Sequence, residues 1–261
     1  MIDKQSERDQ RGVPIDRVGV RDLRYPVIVR DLAHKTQNTI ATISMSVDLP
    51  HHFKGTHMSR FVEVLNEHGG VVHVENIPEI LRQIRKRLDA SCAHLRMDFP
   101  YFVEKRAPVS RARGVMDYGA TFLAHTCNGK IDFVLGARVP VTTLCPCSKA
   151  ISRRGAHNQR GEVLLQTRSK RTIWIEELIA LVEGAASCDL YSLLKRSDEK
   201  YVTERAYDRP VFVEDLVRNV AVAVRRDKRV LWYRVEATNF ESIHNHNAFA
   251  IVTGGSKKFP E

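Results

Sequence analysis

The densest run of reactive side chains is Val141 to Gly161, VTTLCPCSKAISRRGAHNQRG, which sets Cys145, Cys147 and His157 among polar and basic neighbours. A thiolate and an imidazole are good ligands for zinc or a similar divalent ion, and a catalytic site leaves one coordination position open for water. Cys145 and His157 supply two such ligands. Cys-Pro-Cys lacks the two-residue gap of common structural zinc knuckles and has no second cysteine pair beside it, so a closed cysteine-rich structural site is not indicated. Spacing alone fits equally a pair of buried cysteines at a strand end next to a hydrogen-bonded histidine.

Near the C-terminus, ESIHNHNAFAIVT (Glu241 to Thr253) places His244 and His246 two residues apart. In an extended chain that spacing points both imidazoles to one face. The ordinary imidazole pKa of about 6.5 suits general acid and base work, and Glu241 stands where it can orient or tune one of the rings. A polar beginning to a strand reads the same way. Between the two segments, KRSDEKYVTERAYDRPVFVEDLVR (Lys195 to Arg218) mixes acids and bases as a solvated loop does. Within it, Pro210 followed by Phe212, Val213 and Glu214 marks a helix start, where the dipole favours a carboxylate and Glu214 can accept paired hydrogen bonds from a guanine edge. Glu199 offers a hard oxygen to complete a Cys/His/Glu metal set. Lys149, Arg153, Arg154, Lys195, Arg196, Lys200 and Arg205 suit a polyphosphate through charge-assisted hydrogen bonds, although bases kept for solubility distribute themselves similarly.

These residues need a scaffold. Tyr25 to Leu32 and Asn38 to Leu49 alternate as half-buried strands do. Met58 to Glu67 and Pro78 to Leu95 carry apolar residues at helical spacing, with Ile80, Leu81, Ile84 and Leu88 the clearest set. Extended stretches over Tyr101 to Pro108 and Gly114 to Cys127 lead to Asn128-Gly129, which suits a tight hairpin turn. The pattern then restarts: strands over Lys130 to Leu144 and Glu162 to Gln166, helices over Ile173 to Ser187 and Val213 to Val224, strands over Val230 to Thr238 and His246 to Thr253. Each half reads ββααββ, an α+β class in which sheet edges need covering by oligomerisation.

The 261 residues allow a substantial core, and no stretch is apolar enough for a membrane span. The first 22 residues are dominated by charges without the apolar segment of a secretory signal, so a cytoplasmic location is expected. Five cysteines, Cys92, Cys127, Cys145, Cys147 and Cys188, are an odd and sparse set that argues against a disulfide framework and for at least some free thiols. A formal charge of +10 favours anionic partners.

TTLCPCSKAIS with GAHNQRG, DEKYVTERAYDRP with FVED, ESIHNHNAFA, and the earlier LPHHFKGTHMSRF (Leu49 to Phe61) together resemble the type IB GTP cyclohydrolases of the tunnelling-fold superfamily. The resemblance spans nearly the whole chain. It implies hydrolysis of GTP to 7,8-dihydroneopterin triphosphate and formate, the first step toward folate-type pterins and, in bacteria, the deazaguanine (queuosine-type) nucleosides of tRNA. It also implies a divalent metal (zinc, manganese or iron) and a homotetramer with interfacial active sites, whose bimodular subunits form barrels on oligomerisation. An N-terminal leader and first module would then occupy residues 1–128, and a second module carrying most site motifs residues 129–261. By the same resemblance, Cys145 is essential and binds metal, His157 and Glu199 are further metal ligands, and Glu214 anchors the purine. Glu241, His244 and His246 form the catalytic C-terminal motif; of the basic residues above, Lys149, Lys200 and Arg205 are the ones expected at the substrate.

Two other classes fit less well. A tunnelling-fold 7-cyano-7-deazaguanine reductase would use the cysteine as a covalent nucleophile and would not require the His244 and His246 pair. A basic RNA-binding protein would fit the charge, but no RNA-binding signature appears, so neither nucleic acid nor membrane is an expected partner.

Overall fold

The structure is a computed structural model in which residue 5 and residues 7–69 and 72–255 are described. Residues 1–4 and 6 of the expected leader, and residues 256–261 of the expected second module, lie outside the described residues. The chain is α+β with a large antiparallel sheet. It divides into two compact units, residues 1–100 with 121–134 and residues 101–120 with 135–261. The turn at Asn128-Gly129, the module boundary expected from sequence, lies inside the first unit.

In the first unit the order is β1 (Ile15–Asp31), β2 (Lys35–Leu49), α1 (Ser59–Glu67), α2 (Ile77–Leu88), then parts of β3 (Cys92–Arg106) and β4 (Arg113–Cys127). Strict alternation along β2 buries Ala41, Ile43, Met45 and Val47, and Ala93, Leu95 and Met97 of β3 continue that face. Phe61, Val64 and Leu65 of α1 and Ile80, Leu81 and Ile84 of α2 are buried over it. The helix expected over Pro78 to Leu95 stops at Leu88, because Asp89 adopts a left-handed conformation with φ 49° and Cys92 begins a strand. Apolar residues at positions 93 and 95 continue the helical spacing by coincidence while obeying the period of a strand. Ile84 is fully buried, so Ile84→Ala should cost about 2–4 kcal/mol in a urea unfolding titration.

In the second unit, β5 (Lys130–Leu144) is followed by α3 (Pro146–Ile151), β6 (Asn158–Ser169), α4 (Ile175–Ala185) and β7 (Cys188–Asp189). Next come α5 (Arg196–Asp208), α6 (Val213–Arg226), β8 (Val230–Asn239) and β9 (Ala248–Gly255). Pairing runs β5 to β6 to β8 to β9, all antiparallel, and β7 pairs with β5. Leu178 and Val182 of α4 and Leu216, Val220 and Val224 of α6 close the core over Val139, Val163, Leu165 and Val235. Asn128 and Gly129 take φ of 52° and 79°, as a tight hairpin requires.

The main departures from the sequence reading are local. The charged run expected as a solvated loop contains α5, whose start is fixed by buried Asp198. That carboxylate accepts from the amides of Val109, Ser110 and Lys195 at 2.8 Å each and from the Ser110 hydroxyl at 2.5 Å. Burial alone would raise its pKa, yet these hydrogen bonds hold it well below the usual carboxylate range. The last strand begins at Ala248, so His244 and His246 lie on a bent segment and not on the strand that was expected to start at His246. Cys92 and Cys127 are bridged, whereas Cys145, Cys147 and Cys188 are free. One bridge is far from a framework, and three thiols are free.

Candidate active site

Cys145 sits where β5 ends and α3 begins. Its extended backbone makes it the cap of that short helix, with the Ser148 amide donating to Sγ at 3.4 Å. Pro146 follows at the first helical position, where its missing N–H is no loss. The chain returns through Gly155 with φ 75°, so that His157 comes back beside the cysteine. The Cys145 amide donates to the His157 carbonyl at 3.1 Å, and the His157 amide donates to the Ser148 hydroxyl at 3.0 Å. Cys145 and His157 are therefore neighbours by main-chain design, both half-buried.

Gln159 fixes the imidazole. Its amide nitrogen donates to the Thr143 hydroxyl at 2.8 Å, which leaves its oxygen to accept from His157 Nδ1 at 3.0 Å. With the proton on Nδ1, the Nε2 lone pair is free to bind a metal, the usual arrangement behind a ligating histidine. Sequence reading passed over Gln159, although its position two residues after His157 on an extended segment was the signal for a shared face. Gln159→Leu should remove that hold and let the imidazole take either tautomer, which nitrogen-15 chemical shifts of the His157 ring would show.

The C-terminal histidines join this group. The Phe240 amide donates to the Arg160 carbonyl at 2.9 Å, which pins the start of the bent segment to β6. Close approach here depends on Gly161, where an added Cβ would stand 2.9 Å from Asn239 Oδ1 and 3.3 Å from the Thr238 carbonyl oxygen. His244 then lies 6.5 Å from His157 between ring centroids and stacks on His246 at 5.2 Å. Both C-terminal imidazoles are exposed and Glu241 is half-buried.

Glu214 is on the first turn of α6, as its sequence context indicated, and is exposed. The Val211 amide donates to the Leu144 carbonyl at 3.0 Å, which brings the start of α6 beside the residue before Cys145. Lys149 donates to the Tyr207 carbonyl and lies over that ring at 4.1 Å. Lys200 is paired with Glu204 at 2.6 and 2.7 Å on an exposed face. Arg205 donates to the Tyr201 hydroxyl at 3.3 Å, and its Nε is buried without a partner among the described residues.

Glu199 forms no metal-holding group with Cys145 and His157 among the described residues. It occupies the first turn of α5, exposed, with its carbonyl accepting from the Thr203 hydroxyl at 2.7 Å. Among the described residues no three His, Cys, Asp or Glu side chains form a set that could hold a metal. The donor chemistry of Cys145 and His157 nevertheless fits a divalent transition metal, with the lone pair of Nε2 directed by Gln159.

The elements behind Cys145 are held by a polar cluster. Thr142 and Val141 of β5 pair with Cys188 and Asp189, and the Leu144 amide donates to the Ser187 hydroxyl at 3.1 Å. Lys105 Nζ lies 2.7 Å from both Glu183 and Asp189 and donates to the Leu190 carbonyl at 2.9 Å, while the Tyr118 hydroxyl donates to Glu183 at 2.7 Å. Burial pushes the Glu183 carboxyl up, with Lys105 and Tyr118 opposing. Burial acts in the same sense on Asp189, but Lys105 outweighs it and holds that carboxyl down. Burial with Asp189 alongside pushes the Cys188 thiol up to about 11, so it remains protonated.

A family model described as type I GTP cyclohydrolase folE2 matches residues 1–250. The chain belongs to this family. Relatives named GTP cyclohydrolase FolE2 include that of Syntrophotalea carbinolica, 56% identical with 97% of this chain and 94% of the relative covered. That of Geobacter sulfurreducens is 52% identical with 99% and 100% covered, and that of Akkermansia muciniphila 55% identical with 96% of each covered. Among solved structures, uricase from Arthrobacter globiformis superposes with a TM-score of 0.56 at 8% identity, covering 94% of this chain and 95% of that one. Urate oxidase from Bacillus sp. TB-90 gives 0.55 at 10% identity, covering 93% and 100%. At such identities the likeness concerns the fold alone. For this member of the FolE2 family, no helix among the described residues is long and apolar enough to cross a membrane.

Proposed function

We propose that this FolE2-family chain is a metal-dependent GTP cyclohydrolase that converts GTP and water to 7,8-dihydroneopterin triphosphate and formate. The observation that carries the reading is the convergence of Cys145, His157, His244 and His246 on one end of β5 and β6, in a chain at least half identical to proteins named GTP cyclohydrolase FolE2.

Glu214 binds the guanine edge. A carboxylate on the first turn of a helix is favoured by the dipole and accepts two hydrogen bonds in a fixed plane, which holds C8 in place while the ring opens. Cys145 and His157 would hold the metal, with Glu199 as the carboxylate brought in when the site is complete. A divalent ion there supplies Lewis-acid activation for attack on C8. His244 and His246 carry protons: one imidazole protonates the ring nitrogen as the C8–N bond breaks, and further transfers accompany formate release, ribose rearrangement and reclosure. Glu241 orients this pair. Lys149, Lys200 and Arg205 face the triphosphate, which requires Lys200 to exchange Glu204 for phosphate.

The exposure of Glu199, Glu214, His244 and His246 in a single chain supports active sites completed between subunits. A homotetramer of bimodular tunnelling-fold subunits, with sheets closing into barrels, accounts for that exposure and covers the β1 and β9 edges. The element order supports the duplication: β1-β2-α1-α2-β3-β4, then β5-β6-α4-α6-β8-β9 with α3, β7 and α5 inserted. A cytoplasmic location and a role supplying pterin and queuosine pathways follow from the same reading.

Purified chain loaded in turn with zinc, manganese and iron(II) should release formate from GTP and, after oxidation, yield a fluorescent pterin. Consumption of NADPH with 7-cyano-7-deazaguanine and no pterin from GTP would replace this reading with the reductase.

A further inference from the structure

The first unit holds another group of cysteines and histidines, which the GTP reaction does not use. Cys92 opens β3 and Cys127 closes β4, with Cα atoms 4.3 Å apart and the two sulfurs bridged. Two residues along each strand, and so on the same face, His94 and His125 stack with ring centroids 5.7 Å apart and planes 21° from parallel. The intervening residues Ala93 and Thr126 are buried, whereas the four Cys and His side chains are half-buried.

Carboxylates support both ends of the group. Asp48 Oδ1 accepts from the Cys92 amide at 2.6 Å, and Asp132 Oδ2 lies 3.8 Å from His125 Nδ1. The second carboxylate thus stands near the His125 ring, within ion-pair range.

A bridge between Cys92 and Cys127 is opened by a thiol or phosphine reductant. With a thiol R–SH, the S–S bond takes up two electrons and two protons, giving two Cys–SH while two R–SH become R–S–S–R. The ribbon then presents Cys-x-His on one strand against His-x-Cys on the next. Opposed Cβ atoms across an antiparallel pair are about 5 Å apart and same-face neighbours along a strand about 7 Å. Four side chains so spaced can converge on one ion at the roughly 2.0–2.3 Å of zinc–nitrogen and zinc–sulfur bonds. The metal displaces the two thiol protons.

We propose that Cys92, His94, His125 and Cys127 form, when the bridge is reduced, a tetrahedral site for a zinc-class divalent ion in the first unit, and that oxidation to the disulfide closes it. The ion would tie β3 to β4 as the disulfide does, so either redox state keeps the ribbon fastened.

The test uses the full-length chain carrying Cys145→Ala, which removes the sulfur of the other site, and cobalt(II) as the probe. Phosphine-reduced protein should take up a cobalt ion with the sulfur-to-metal charge-transfer band and visible bands of tetrahedral thiolate coordination. Oxidation with diamide should abolish those bands reversibly on the same sample, so no unfolded variant can mimic the result. Cys92→Ser with Cys127→Ser should also abolish them, and His94→Gln should weaken cobalt binding by about tenfold or more. The proposal is overturned if Cys92 and Cys127 titrate as free thiols and no band appears, or if the band persists in the Cys92→Ser, Cys127→Ser chain.

Discussion

Replacing Cys145 by alanine should reduce GTP turnover by about 10³-fold or more and weaken metal binding in the second unit at least tenfold. Cys147→Ala should leave both within a few-fold of the parent. The contrast follows from placement. Cys145 caps α3 with its sulfur held by the Ser148 amide and its own amide bonded to the His157 carbonyl, so thiolate and imidazole are presented together. Cys147 is the second residue of the same short helix, exposed, with no hydrogen bond to the histidine segment among the described residues. Cys147→Ala leaves the backbone hydrogen bonds in place and Cys145→Ala removes only the weak sulfur acceptor of the Ser148 amide, so circular dichroism should match the parent and losses can be assigned to the site. Small and equal effects at both positions would remove Cys145 from the centre of the reaction.

Lys105→Met should destabilise the fold by about 3–5 kcal/mol at neutral pH, the cost typical of stranding buried charge. Lys105 is the shared partner of Glu183 and Asp189, and all three side chains are only 14–15% exposed. Without the ammonium, both carboxyls lose the group that favours ionisation, and folding must then protonate them or expose them. A carboxyl whose folded pKa is raised binds more protons folded than unfolded, so the variant gains stability as the pH falls. In the parent, Asp189 is held down by Lys105, and its contribution is lost on acidification below the ordinary carboxylate range. Between pH 7 and pH 5 the first effect governs, since Asp189 in the parent stays ionised there and Lys105 keeps the parent's Glu183 less raised than the variant's: the gap between parent and variant should narrow over that range in urea titrations. A gap independent of pH would mean that Lys105 acts through packing alone. Because β7 braces the end of β5, turnover should fall with stability.

Much of this architecture is legible in the chain because alternation and helical spacing are written by burial. β2, β4, β5, α1, α4 and α6 all fall close to where their apolar periodicity places them. Misreadings occur where two periods coincide or where a polar residue decides the geometry. Residues 93 and 95 continue the apolar pattern of α2, and only the left-handed Asp89 separates helix from strand. α5 buries only Asp198 and Ala206, and its start is set by the Asp198 carboxylate, whose partners at 109 and 110 are far away in sequence. The site is legible as residue types: Cys145, His157, His244 and His246 were all singled out and are brought together. Their cohesion was not legible, because Ser148, Gln159 and Gly161 act through hydrogen bonds and close approach that no periodicity records. Glu199 and Glu214 present a further case. Both stand exposed on helix first turns, and in the proposed reading their roles depend on what a second subunit would bring.

The most direct measurement is to supply GTP carrying ¹³C at C8 to metal-loaded protein and follow the label by NMR. Cyclohydrolase chemistry delivers the label to formate, one formate for each pterin formed, with none of it retained in the pterin and no formate from the Cys145→Ala chain. Label that stays in intact GTP under every metal tried, or that appears in a nucleotide product without formate, would contradict the assignment.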